Sequence, residues 1–314
     1  MKMNKPKFWE DGNSLIPFFL FPFAFLFQII LKIKKIITVK ERFDIPIICI
    51  GNIYLGGTGK TPLSILIAEE LKKIKKKPAI IKKYYSDHAD EHLLIKSKLN
   101  CLFLNHQRSK AIYDAQEKKF DVAILDDGFQ DFSINKNLNL LCFNNEQLIG
   151  NGWTLPAGPL RENLSSLKRV NIILINGKKN LEFEKKVFKL SNKIKIFYSK
   201  YLPLNLKNFK NKKLLAFAGI GNPNNFFKIL SEHKLQVKKK YQFPDHYNFN
   251  KSELQSMIDL SKKNNYQIIT TEKDYYRIKH YGFKNIKYLK IIVIFIKGRK
   301  FFCFEAPVGS RKLD

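Results

Sequence analysis

The stretch Gly56-Gly57-Thr58-Gly59-Lys60-Thr61 carries the clearest chemistry in the sequence. It lies between an apolar run, Ile45-Pro46-Ile47-Ile48-Cys49-Ile50, and an apolar-periodic segment from Leu63 to Ile74. Strand, glycine turn and helix in that order are the context of a phosphate-binding loop (P-loop). Its glycines let backbone N–H groups converge on phosphate oxygens. In that role Lys60 reaches the β- and γ-phosphates of ATP, Thr61 ligates Mg²⁺, and the helix directs its positive end at the anion. Pro62 suits a first helical turn, where its missing donor costs little. The usual pattern has a glycine where Tyr54 stands, which leaves Gly51 and the Gly56-Gly57 pair to supply flexibility; a plain glycine-rich turn is the alternative.

A second chemical signal is the pair Asp126-Asp127, at the end of the apolar run Val122-Ala123-Ile124-Leu125 and before Gly128. In a parallel sheet the carboxyl end of such a strand faces the same crevice as the glycine loop. A carboxylate there holds Mg²⁺ opposite Thr61, the Walker B role; the alternative is an Asp-Gly turn that merely ends the strand. His88 and His92, four residues apart around Asp90-Glu91, have metal-ligand spacing but no further ligands, so a solvated loop entering a helix is the better reading. Arg161 closes a segment rich in proline and glycine, Asn151 to Glu162, which reads as an ordered loop. It would contact phosphate or base, or pair with Glu162.

The elements that must position these groups follow from hydrophobic patterning. Strands are expected at Pro78–Ile81, Cys101–Leu104, Leu138–Phe143 and Val170–Ile175, with a helix over Arg108–Lys118. The lysine- and asparagine-rich stretch Ser191–Asn211, with short apolar Ile194–Tyr198, reads as a connection between domains. Alternation then resumes: strand Leu214–Ala218, turn Gly219–Pro223, helix Phe226–Leu230, a strand ending at Phe243, helix Ser252–Lys263, strand Gln267–Thr270, Thr271-Glu272-Lys273-Asp274 opening a helix, and a strand at Ile291–Ile296. The fold class is α/β, a P-loop parallel-sheet unit plus a smaller α/β unit. The expected boundaries are an N-terminal membrane-associated segment 1–36, a P-loop domain 37–192, and a linker with the smaller domain over 193–314.

The 314 residues hold 57 Lys and Arg against 27 Asp and Glu, a formal charge of +30, which favours anionic surfaces including acidic lipid headgroups. The excess is mostly lysine, Asn and Ile are abundant too, and no aromatic-basic RNA motif or helix-turn-helix pattern occurs, so nucleic acid is not expected as a partner. The cysteines Cys49, Cys101, Cys142 and Cys303 are far apart with apolar or aromatic neighbours, which reads as reduced, buried thiols of the cytoplasm. From Gly12 to Leu31 there is no charge, and phenylalanine recurs at positions 18, 19, 21, 23, 25 and 27. Its Leu, Ile and Phe residues favour insertion by about 4–8 kcal/mol before penalties for Pro17, Pro22 and Gln28. It reads as a span, as an interfacial anchor followed by Lys32, Lys34 and Lys35, or as a buried core helix. Glu10 and Asp11 before the run argue against a cleaved signal. Either membrane reading leaves the remainder on the cytoplasmic side.

With these motifs in order the chain resembles the tetraacyldisaccharide 4'-kinases, the lipid A 4'-kinases of Gram-negative bacteria. The resemblance rests on Lys5-Pro6-Lys7-Phe8-Trp9, Gly51-Asn52 with Gly56–Pro62, and Asp126-Asp127-Gly128-Phe129-Gln130. It continues through Asn151-Gly152 with Leu155–Glu162, Phe217–Pro223, Phe243–His246 and Thr271–Asp274. It implies transfer of the ATP γ-phosphate to the 4'-hydroxyl of an acylated glucosamine disaccharide 1-phosphate, giving lipid IVA, at the cytoplasmic face of the inner membrane. It further implies that Asp126, Asp127 and Glu91 stand beside the Mg²⁺, with Gln130 as their neighbour. Asp90 takes the place of the base for the sugar hydroxyl, His246 that of its partner, and Arg161-Glu162 that of a nucleotide-side pair. The sequence departs from the family at Lys82-Lys83-Tyr84-Tyr85, where the family has Arg-Gly-Tyr-Gly. Asp131 and Tyr247 stand in place of histidines, and His92 in place of a proline. The rival reading is a membrane-associated P-loop ATPase or GTPase switch; the guanine motif Asn-Lys-x-Asp is missing, since Asn176-Gly177-Lys178-Lys179 lacks its Asp.

Overall fold

The computed structural model describes residues 6–86 and 89–296. After α1 (Ile16–Ile37) the chain alternates through β1 (Ile47–Gly51), α2 (Lys60–Lys73), β2 (Pro78–Lys83), α3 (Ala89–Lys98), β3 (Leu102–Asn105), α4 (Arg108–Glu117) and β4 (Val122–Asp126). It continues with β5 (Leu138–Asn144), β6 (Ile172–Asn176), α5 (Leu181–Leu190) and β7 (Lys195–Pro203). A second series follows: β8 (Lys213–Ala218), α6 (Pro223–Glu232), β9 (Gln236–Gln242), α7 (Lys251–Lys263), β10 (Gln267–Thr271), α8 (Glu272–Ile278), β11 (Ile286–Leu289) and β12 (Ile291–Phe295).

The strands form an eight-stranded sheet in the order β12-β7-β6-β5-β1-β4-β2-β3 and a four-stranded sheet in the order β11-β10-β8-β9. All pairings are parallel except β12 with β7. Central parallel strands are covered on both faces, which is why β1 and β4 read as unbroken apolar runs and are buried throughout. Successive residues still serve opposite layers: Ile47 and Cys49 join one core, Ile48 and Ile50 the other. In the small sheet Leu214 and Ala216 face one layer, Leu215 and Phe217 the other. Helix α6 starts where Asn222 accepts the N–H of Asn225 and Pro223 takes the first helical position.

Ile194–Tyr198, within the expected connection, runs into β7, which pairs with β6 over Lys195–Ser199 and extends the large sheet. Strand β12 returns to that sheet's edge beside β7, so 193–314 supplies strands to both sheets. Helix α5 and strand β11 lie outside the elements expected from patterning. Trp9 is buried, and its indole N–H donates to the Pro156 carbonyl at 3.1 Å. Helix α1 is not a core helix, since Phe18, Phe19, Phe23 and Phe25 are exposed and only Pro17 and Ala24 are buried. Cys49, Cys101 and Cys142 are buried free thiols, with burial pushing Cys49 up to about 11; Cys303 lies outside the described residues.

Candidate active site

The carboxyl ends of strands from both sheets border one cleft of about 1270 Å³. The glycine loop leaves β1 and enters α2 through Gly59, whose φ of +89° is left-handed and whose Cβ, were there one, would lie 2.5 Å from the Tyr201 hydroxyl. Gly57 and Gly221 bring the loop and the β8–α6 turn into backbone contact; a Cβ on Gly221 would meet the Gly57 nitrogen at 2.4 Å. The position where a glycine is usual is filled by Tyr54, fully buried, whose hydroxyl reaches Glu10 at 3.5 Å. Asn52 braces the loop from within: its amide donates to Tyr54 O, Gly56 O and Thr58 Oγ1 at 2.6, 3.1 and 2.9 Å. The segment before Glu162 runs alongside, with Leu55 donating to Pro159 O and Arg161 N–H to Ile53 O.

At the end of β4, Asp126 is fully buried and accepts from Thr61 Oγ1 at 3.0 Å, Ser64 Oγ at 3.2 Å and Lys82 Nζ at 2.7 Å. Asp127 turns the other way through a left-handed backbone, φ +58°, to meet Arg161 at 3.0 Å and Lys60 at 3.7 Å. Burial opposes its charge, but Lys60 and Arg161 outweigh that and hold its carboxyl well below the usual range. Gln130 donates to Asn52 O and to Glu162, and its carbonyl accepts from Arg161. Arg161 and Glu162 do not pair with each other: Glu162 is bound by Arg169, which also lies over the Phe129 ring. Arg161 lines the cleft, whereas Glu162 supports it from behind, its carboxyl raised by burial.

The third group spans the two sheets. Helix α3 begins with Asp90 and Glu91, and α8 brings Lys273 and Arg277 against them. Arg277 binds Asp90 and, at 2.7 Å, Asp274, and donates to the Gly219 and Tyr247 carbonyls. Lys273 reaches Glu91 at 3.0 Å, Asp245 at 3.3 Å and His246 Nε2 at 3.1 Å. An ammonium can only donate, so Nε2 accepts and Nδ1 carries the proton toward Asp90 Oδ1, 3.5 Å away. His246 has φ +55°, the second non-glycine residue of the site in the left-handed region. Burial disfavours charge on Asp90, but His246, Lys273 and Arg277 together hold it below the usual carboxylate range; for Glu91 burial is likewise outweighed by Lys273 and Lys82. Asp90 itself is covered, while His246 and Glu91 line the cleft.

All the residues expected at a site on sequence grounds therefore converge on this cleft or directly behind it. Sequence reasoning missed Asn52, Ser64, Lys82, Asp245, Lys273 and Arg277 as participants. Ser64 was legible, one helical turn after Thr61. Lys273 follows the carboxyl end of a parallel strand, a position that could have marked it. Lys82 and Arg277 carried no local signal. His88 lies outside the described residues; His92 stacks on Tyr84, ring centroids 5.8 Å apart. Among the described residues no cluster of three or more His, Cys, Asp or Glu could hold a metal unaided. Mg²⁺ does not need one, because it takes one or two protein groups beside substrate phosphates and waters. The Thr61 hydroxyl next to the Asp126 carboxylate would serve as such a donor set.

A glycine loop on a parallel sheet, a lysine and a carboxylate pair at its mouth, and a histidine–carboxylate pair across the cleft define a P-loop phosphotransferase. Residues 16–302 match the family model of the tetraacyldisaccharide-1-P 4'-kinases. The sequence is 41% identical over 297 residues to the tetraacyldisaccharide 4'-kinase of Pelagibacter ubique, covering 92% of this chain and 93% of the relative. It is 30% identical over 337 residues to that of Haemophilus influenzae, covering 98% and 97%. It also matches the crystal structure of LpxK from Aquifex aeolicus in complex with ATP, with a TM-score of 0.69 and 25% identity over 90% of this chain and 96% of that one. The chain belongs to the tetraacyldisaccharide 4'-kinase family.

Proposed function

We propose that this enzyme transfers the γ-phosphate of ATP to the 4'-hydroxyl of a tetraacylated glucosamine disaccharide 1-phosphate. The observation that carries the assignment is the pairing, on one cleft, of a phosphate loop with an acid–base pair suited to an alcohol acceptor. Lys60 and the loop N–H groups hold the β- and γ-phosphates, and Arg161 adds a second cation beside Asp127. Thr61 and Asp126, with Asp127 and Glu91 close by, would hold Mg²⁺, which when bound neutralises charge on the transferring phosphoryl group. Gln130 and Glu162 keep Arg161 and Asp127 in register from behind.

On the acceptor side, His246 meets the cleft and Asp90 lies behind it, the order in which a carboxylate fixes an imidazole tautomer. The sugar proton passes to this pair as the phosphoryl group arrives, at His246 Nε2 once that nitrogen exchanges the Lys273 ammonium for the sugar hydroxyl, with Asp90 facing Nδ1. Because phosphoryl transfer is largely dissociative, proton removal comes late and demands no strong base.

The acceptor's acyl chains explain α1. Its apolar stretch has a mean hydropathy of 2.1 with little of it buried, and 22 residues make about 33 Å of helix. Ala24 is buried and Phe21 packs on Trp153 at 5.4 Å, which ties the helix along the body and favours one leaflet over a full crossing. Lys34 and Thr38, at its far end, border the cleft, so a headgroup lifted from the cytoplasmic face of the inner membrane meets the phosphate loop. Incubation with labelled ATP, Mg²⁺ and the disaccharide 1-phosphate lipid should yield labelled lipid on thin-layer chromatography. ATP hydrolysis indifferent to that lipid would instead favour a nucleotide switch.

A further inference from the structure

The transfer just described leaves Lys82 without a task, although it is among the most enclosed charges of the cleft. It sits at the carboxyl end of β2, register partner of Asp126 on β4, with its side chain 6% exposed. Its ammonium is 2.7 Å from Asp126 Oδ2 and 2.7 Å from Glu91 Oε2, one cation bridging these two carboxylates while Lys273 holds the other Glu91 oxygen at 3.0 Å. The Asp126 oxygen it binds is the one that also accepts from Thr61. We propose that Lys82 is a built-in counter-cation that keeps free divalent metal out of the Asp126–Glu91 pair, so that Mg²⁺ enters only as its complex with nucleotide.

The reasoning is electrostatic. A divalent ion approaching these carboxylates meets a fixed unit charge already seated between them, and it can gain both only by expelling that charge. A metal arriving with ATP brings phosphate oxygens of its own and needs only Thr61 and a share of Asp126. Lys82 also ties the start of α3 to β4, so the counter-ion and the acid–base pair are held in one frame. The proposal rests on Asp126 and Glu91 being the metal-side carboxylates of the kinase reading.

The test is Mn²⁺ binding by the full chain in detergent without nucleotide, followed by electron paramagnetic resonance. The parent and K82R should leave Mn²⁺ free. K82M should bind it more tightly by on the order of 10²-fold, the effect of deleting one near charge at intermediate dielectric. The double variant K82M/E91Q should lose that gain, and Mn²⁺ should raise the melting temperature of K82M but not of the parent. Parent protein that binds Mn²⁺ as tightly as K82M overturns the proposal, as does a folded K82M no better than the parent. K82Q serves as the second neutral variant; failure of both to fold even with Mn²⁺ counts against it too, since the gained metal ought to replace the lost cation. If the Mn²⁺ pattern holds but no lipid is phosphorylated, the acceptor assignment falls and this proposal stands.

Discussion

Replacing Arg277 by methionine tests whether α8 holds the acid–base pair in place. The guanidinium binds Asp90 and Asp274, both buried, and two backbone carbonyls. Removing one member of a buried ion pair costs about 3–5 kcal/mol, because the remaining charge is left uncompensated. Asp90 keeps His246 and, at 3.8 Å, Lys273, while Asp274 keeps the Gly219 N–H and the Thr271 hydroxyl. The lower end therefore applies, about 3 kcal/mol, or a fall of roughly 4–5 °C in melting temperature at about 2.1 cal/mol/K of unfolding entropy per residue over 314 residues. Arg277 does not line the cleft, so KM for ATP should hold while kcat drops about tenfold as Asp90 loses its position behind His246. R277K should recover most of both losses. Circular-dichroism melts at neutral pH and steady-state lipid phosphorylation measure the two effects. A melting temperature and kcat matching the parent would refute the claim that α8 sets the geometry of α3.

Lys60→Ala should lower transfer by about 10²–10³-fold or more, because the phosphoryl group loses its nearest fixed cation; near-normal kcat would contradict the site. Asp90→Asn should reduce kcat by roughly 10²-fold or more with nucleotide affinity, measured by fluorescent ATP analogue, little changed. Acid should destabilise the fold: Asp90, Glu91, Asp127 and Asp245 are held below their ordinary values, so their contribution is complete above the unfolded-chain range and is lost as pH falls below about 4. Asp274 and Glu162, raised by burial, act with the opposite sign, and the measured fall in melting temperature is the net of the two sets. Finally, F19S/F23S/L26S alters exposed positions on one stripe of α1 and should move the protein from the membrane pellet to the supernatant without lowering its melting temperature; unchanged fractionation would remove the anchor reading.

The sequence by itself determined whatever depends on neighbouring residues. The glycine loop, the entry of α2, the apolar strands and the Asp126-Asp127 terminus are set by local backbone freedom and by burial of continuous apolar runs, and both are written in consecutive residues. The resemblance to a kinase family extended that reading to Asp90 and His246, which no spacing connects. Tertiary structure decided the rest. Lys82 reaches Asp126 because β2 and β4 are neighbours in register, and Arg277 reaches Asp90 because α8 of the small sheet packs on α3 of the large one. It also buried Asp90 behind His246, a histidine held in a left-handed turn. Ion pairs between distant segments leave no periodic trace, since a buried lysine and a solvated one are written alike until the fold brings a carboxylate to it.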